Sequence, residues 1–245
     1  MKKISLIIVL LFSVIVVVAQ PIQWRGANRD GKFTDTGLLK KWPDAGPQLI
    51  LKVEGIGKGY SSVIATDKYM FVTGMIDTLD YLSCIAMDGQ IKWKVPYGRS
   101  WKQSFPETRG SATIEGDRVY VVSGTGQLSC INVEDGATIW KVDVDKDFKA
   151  EWHIWGVSES PLIVDDKVIC SPGGKQTSIV AFDKMTGKLI WQSKSVGGPR
   201  TYLSPTIYQY KSFRYILAAT GTHLVALEPE TGNVVWTFQY WDGAK

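Results

Sequence analysis

From Ser61 to Gly221 the chain alternates apolar and polar positions in short runs, and the runs come in pairs. Ser61 to Gly74 reads SSVIATDKYMFVTG, Gly110 to Gly124 reads GSATIEGDRVYVVSG, Glu159 to Gly174 reads ESPLIVDDKVICSPGG, and Leu203 to Gly221 reads LSPTIYQYKSFRYILAATG. Each has a small-residue start, an alternating run, a polar turn, a second run and a glycine. Period-two alternation bounded by Gly and Asp clusters predicts two strands in each stretch. A second kind of segment follows every pair: CIAMDGQIKW ending at Trp93, CINVEDGATIW at Trp140, AFDKMTGKLIW at Trp191 and ALEPETGNVVW at Trp236. All four keep a glycine (Gly89, Gly136, Gly187, Gly232) and then a tryptophan four residues later. The segment adds two strands, so every repeat predicts a four-stranded antiparallel meander.

The tryptophans lie 47, 51 and 45 residues apart, the period of a propeller blade. The expected fold class is therefore all-β, a β-propeller with about four blades present, at about 60–96, 110–144, 159–195 and 203–240. AxDxxTGxxxW, complete in the third copy, resembles the tryptophan-docking motif of the PQQ-like (quinoprotein-type) β-propeller repeat family. WRGANRDG at 24–31 resembles the opening of its secreted bacterial members. The resemblance implies that Trp93, Trp140, Trp191 and Trp236 lie on outer strands and pack on a neighbouring blade near the turn glycines. It also implies a ring of seven or eight blades, of which this chain is expected to supply about half. Self-association of the half-ring, or an unusual four-bladed ring, is the alternative. Gln48 to Glu54, QLILKVE, is expected to be an outer strand that completes the final blade, after an arm at 20–47 rich in Gly, Pro and Trp.

Met1 to Gln20 carries two lysines, an apolar run from Ile4 to Val18 and the small residue Ala19. It reads as a secretory signal peptide cleaved after Ala19; an uncleaved anchor is the alternative, although the run is short for a span. The expected protein is exported, periplasmic or secreted, with no transmembrane span after cleavage. At 44% hydrophobic and 11% aromatic residues it can build a substantial core. Beyond Ala19 the charges nearly cancel, which gives no electrostatic ground for nucleic-acid binding. Cys84 and Cys130 hold equivalent places in adjacent blades and Cys170 lies on another strand, so all three are expected to be free, buried thiols.

In a propeller the connections that lead into the inner strands open beside the central channel. Here they are rich in polar and aromatic residues: Lys58 to Tyr60, Trp101 to Arg109, Glu151 to Glu159 and Pro199 to Leu203. Tyr60, Arg109, Glu159 and Tyr202 fall at similar repeat positions and are expected to ring one channel mouth. Arg109, His153, Trp155, Glu159, Arg200 and Tyr202 are the expected ligand contacts, because arginine recognises anions bidentately, tryptophan and tyrosine offer flat faces, and histidine titrates near neutrality. An Arg109–Glu159 salt bridge between blades is the competing structural reading. Gly173 to Thr177 lacks the leading glycine of a phosphate loop, and Asp143, Asp145 and Asp147 lack the turn glycine and final glutamate of an EF-hand.

No catalytic set and no metal set stand out. The first expectation is a non-catalytic exported binding module that presents its channel mouth to a protein, glycan or small molecule, with no cofactor. The resemblance implies two alternatives. One is a PQQ-dependent alcohol or sugar dehydrogenase, whose quinone is held with calcium. The other is a scaffold for outer-membrane protein assembly.

Overall fold

The computed structural model describes residues 20–152 and 154–242. The leader expected at 1–19 and the candidate His153 lie outside the described residues. Four antiparallel sheets form, each in simple sequential order. The first comprises β1 (Ile64–Ala65), β2 (Tyr69–Ile76), β3 (Leu79–Ala86) and β4 (Ile91–Arg99). The second comprises β5 (Thr113–Glu115), β6 (Arg118–Val122), β7 (Gln127–Asn132) and β8 (Thr138–Asp143), and a single helical turn, α1 (Val144–Asp147), follows it. The third comprises β9 (Leu162–Val164), β10 (Lys167–Cys170), β11 (Val180–Asp183) and β12 (Leu189–Gln192). The fourth comprises β13 (Thr206–Tyr210), β14 (Phe213–Ala219), β15 (His223–Leu227) and β16 (Val234–Gln239). This is a propeller built of four-stranded blades.

The core lies between blades rather than within them. On β6, Val119 and Val121 join Phe71 and Leu82 of the first blade, while Tyr120 and Val122 join Ile163 and Phe182 of the third. A third cluster joins Ile169 and Ala181 to Ile216 and Val225 of the fourth. Because successive strand residues face opposite sides, a middle strand buried on both faces glues two neighbours at once.

A recurring indole contact sets the spacing. Cys84, Cys130, Ala181 and Ala226 pair across the ladder with Trp93, Trp140, Trp191 and Trp236, so a small residue stands opposite each ring. The first three indoles reach the next blade. Trp93 Nε1 donates to Val133 O at 3.0 Å, Trp140 Nε1 to Lys184 O at 3.1 Å and Trp191 Nε1 to Pro229 O at 3.0 Å. Each acceptor stands three residues before the turn glycine of that blade. A Cβ on Gly136 would stand 2.8 Å from the Trp93 ring, and one on Gly187 would stand 2.7 Å from Trp140. Both glycines have φ above +70°, so backbone and space exclude a side chain together. Trp236 is 44% exposed.

Residues 48–54 correct an expectation: they form no strand. Each of the four described blades carries its own outer strand, so the segment completes none of them. Leu49 and Ile50 are exposed, while Leu51 lies over Gly89, where an added Cβ would be 2.5 Å from its Cδ1. The leucine covers on the first blade the glycine that an indole covers on the other three. All three cysteines are buried thiols.

Candidate functional site

Two residues before each first strand stands a serine: Ser62, Ser111, Ser160 and Ser204. They are linked around the channel. Ser62 N donates to Ser111 Oγ at 2.9 Å, Ser111 N to Ser160 Oγ at 3.1 Å and Ser160 N to Ser204 Oγ at 2.9 Å. Each of these oxygens thus satisfies a backbone N–H of the preceding blade. Among the described residues the hydroxyl protons of Ser111, Ser160 and Ser204 have no acceptor, so they remain available to the channel.

Two residues earlier still, on the same side of the extended chain, stand Tyr60, Arg109, Ser158 and Tyr202. Together with Trp24 of the N-terminal arm, both rings line a cavity of about 300 Å³. Tyr60, Arg109 and Tyr202 are therefore where the repeat places them, but Glu159 is not. The residue in register is Ser158, and a shift of one residue turns a side chain to the opposite face of an extended segment. Ser158 Oγ donates to Tyr202 O at 3.1 Å. The Arg109–Glu159 salt bridge does not form. Arg109 Nη1 donates to Glu107 O at 3.2 Å, and its Nη2 has no partner among the described residues.

Glu159 lies beneath the ring, 1% exposed, in a buried network of charges. Its Oε2 accepts from Ser171 N at 3.1 Å, while Arg200 Nε donates to Ser171 O at 2.7 Å and Arg200 Nη2 pairs with Asp145 Oδ1 at 2.7 Å. Burial pushes the Glu159 carboxyl up to about 7 against the opposing pull of Arg200 and Arg29. Burial likewise raises Asp145 against Arg200. Arg200 is 5% exposed and so belongs to this network rather than to the mouth.

The hub beside it is Arg29, which the arm inserts from outside the repeats. Its Nε donates to Gln23 Oε1 at 2.7 Å, Nη1 to Ser160 O at 2.9 Å and Pro205 O at 3.0 Å, and Nη2 to Thr113 Oγ1 and Pro161 O. One guanidinium thus ties together the entries of three inner strands. Burial lowers its pKa to about 10, opposed by Glu159, and the group stays charged at neutral pH.

The connections around the mouth are fixed from below. Asp80, fully buried on β3, accepts from the hydroxyls of Ser100 and Thr108 and from Gly124 N at 2.7 Å, pinning both ends of the 100–108 loop to the second blade. Trp155 stands beside the mouth: its N–H donates to Tyr202 Oη at 3.2 Å, and its ring lies 4.9 Å from Tyr202 and 6.0 Å from Phe105.

The mouth is consequently rich in donors. It offers a guanidinium, serine hydroxyls and the Tyr60 hydroxyl, and among the described residues no carboxylate lines it. The ring serines bond to backbone N–H groups rather than to a base, and Cys170, pushed well upward by burial and then by Glu159, is an inert thiol. Such a site suits recognition of a group rich in acceptors. Of its members the repeat pattern singled out Tyr60, Arg109 and Tyr202 and missed the serines, although Ser stands second in all four stretches that open the blades. Arg29 and Trp24 carried no periodic signal.

A family model described as outer membrane protein assembly factor BamB matches residues 79–241. The chain is 28% identical over 160 residues to the outer membrane protein assembly factor BamB of Burkholderia pseudomallei, covering 60% of this chain and 38% of that protein. It is 27% identical over 153 residues to a polyvinylalcohol dehydrogenase of a Pseudomonas species, covering 56% of this chain and 24% of the dehydrogenase. Among solved structures, the quinohemoprotein alcohol dehydrogenase ADHIIG of Pseudomonas putida superposes with a TM-score of 0.57 at 20% identity, over 76% of this chain and 34% of that one. The chain thus spans about a quarter to two-fifths of the length of these curated relatives.

Proposed function

The chain belongs to the PQQ-like propeller family whose model is described as outer membrane protein assembly factor BamB, and we propose that it is an exported binding module that holds an acceptor-rich group at its channel mouth without transforming it. The observation that carries this reading is the donor set. Arg109, Ser111, Ser160 and Ser204 line one cavity, Arg109 Nη2 has no acceptor among the described residues, and Tyr60, Tyr202 and Trp155 supply flat apolar faces around them. A carboxylate on a small molecule, a glycan or a partner's side chain has the complementary chemistry.

The dehydrogenase relatives raise the question of a quinone held with calcium. The residues present do not fit that pair. Calcium takes six to eight oxygens, with carboxylates prominent, whereas the cavity lining offers no carboxylate. The two carboxylates below it face Arg200 and Arg29, whose guanidiniums already hold the positive charge that a metal would bring. No catalytic step is therefore drawn through that cofactor. A scaffold role in outer-membrane protein assembly is the second reading, favoured by the family description and by the BamB relative. It uses the same mouth with a protein side chain as the ligand.

Succinate is a suitable first probe, read by the fluorescence of the tryptophans at the mouth. A saturable response without calcium, lost in Arg109→Ala and weakened in Ser160→Ala, is expected. Alcohol-dependent dye reduction that requires added quinone and calcium would replace the binding reading with the enzymatic one.

A further inference from the structure

A second cleft opens at the junction of the first two blades, lined by Thr78, Arg99, Lys102, Gln103 and Trp152 and holding about 560 Å³. Among the described residues, no acidic side chain lines it. Neither Arg99 nor Lys102 has an ion-pair or hydrogen-bond partner for its side chain among the described residues, so two cations face one cleft uncompensated. The nearest buried carboxylate, Asp80, is already used by Ser100, Thr108 and Gly124.

The apolar side of the cleft is aromatic. Trp152 is 42% exposed and packs edge-on against Trp101 at 4.9 Å, with its Nε1 donating to Asp145, so the exposed ring is held in place from behind. Trp101 is 3% exposed, and its Nε1 has no partner among the described residues. Thr78 and Gln103 add a hydroxyl and an amide to the lining, beside Leu79, Ser100 and Thr125.

We infer that this cleft is a binding site for an anionic saccharide, a pyranose ring lying against Trp152 with its sulfate or carboxylate on Arg99 and Lys102. Two cations without an acid select an anion, a fixed indole beside hydroxyl and amide donors selects a polar ring, and the volume is that of a small-molecule site. An acidic peptide fits less well. Ser100 N already donates to Thr78 O at 3.1 Å and Gly124 N to Asp80, so backbone groups that could pair with an added strand are occupied.

The test titrates the full chain at low ionic strength with a sulfated disaccharide, a uronic-acid disaccharide, the neutral parent sugar, inorganic sulfate and an acidic hexapeptide. Saturable one-to-one binding of at least one anionic disaccharide is expected, with the neutral parent and inorganic sulfate each at least about tenfold weaker, and weakening by added salt. The double variant Arg99→Ala, Lys102→Ala should lose that binding while keeping its melting temperature and its succinate response at the channel mouth. Lys141→Ala, which removes a positive charge from exposed β8, should change nothing. Equal binding of the neutral sugar, of inorganic sulfate or of the peptide overturns the assignment, as does binding retained in the double variant.

Discussion

Two columns of the repeat use one scaffold in opposite ways. Where indole meets glycine, the blades present the same side chains each time: Trp93 on Gly136, Trp140 on Gly187, Trp191 on Gly232. Four residues before each inner strand, the same repeat position carries Tyr60, Arg109, Ser158 and Tyr202. A contact that joins sheet to sheet must satisfy the same geometry in every blade, so its residues recur. A mouth that recognises one ligand needs different groups around its rim, so its residues diverge. The serine column lies between these two: the oxygens of Ser111, Ser160 and Ser204 each cap the neighbouring blade, and the same serines border the cavity.

The sharpest way to break this comparison is to remove the same residue from two blades. Trp191, 7% exposed, should cost about 3 to 5 kcal/mol when changed to alanine. Trp236, 44% exposed, should cost under about 1 kcal/mol. Denaturant unfolding of the two variants checks this, and equal losses would mean that the indole contact is not what stabilises the blades.

Arg29 extends the structural column outside the repeats. Arg29→Met leaves three blade entries unbridged and Glu159 with one fewer buried cation, a loss of about 3 to 5 kcal/mol. Thermal melting of a variant indistinguishable from the parent would make the arm a passenger.

Glu159 adds a dependence on pH. Its carboxyl is held at about 7 in the folded chain against an ordinary 4.5, so folding favours its protonated form. The penalty is absent below about pH 4.5, grows as pH rises and is complete above about pH 7, where it reaches on the order of 3 kcal/mol. Glu159→Gln should remove that slope. Parallel stability profiles for the two chains between pH 4.5 and 7 would place the titration elsewhere.

The smallest stability effects belong to the mouth. Ser111→Ala deprives Ser62 N of its acceptor and should cost about 1 kcal/mol, whereas Arg109→Ala, which breaks a single bond to Glu107 O, should stay within about 0.5 kcal/mol. An Arg109 variant that unfolds would move this residue from the recognition column to the structural one.

The legibility of these columns in the sequence follows from their physics. The indole contact was legible because glycine and tryptophan return at one fixed offset. The mouth was legible only in part. Glu159 and Ser158 are adjacent, both polar, and only the extended backbone decides which faces the cavity. Arg29 was hidden because three of its partners are backbone carbonyls of two distant segments, Ser160–Pro161 and Pro205, which leave no mark on side-chain pattern. Residues 48–54 show a related dependence: QLILKVE has a strand's composition, but a strand exists only where a neighbouring edge accepts its hydrogen bonds, and none of the four described sheets offers it one.

The most direct test of the recognition column is amide chemical-shift mapping of the full chain with succinate in the absence of calcium. The account expects the shifts to concentrate at Tyr60, Ser62, Arg109, Ser111, Ser160 and Tyr202, and to vanish in Arg109→Ala. Shifts confined to other faces, or arising only when calcium is added, would contradict it.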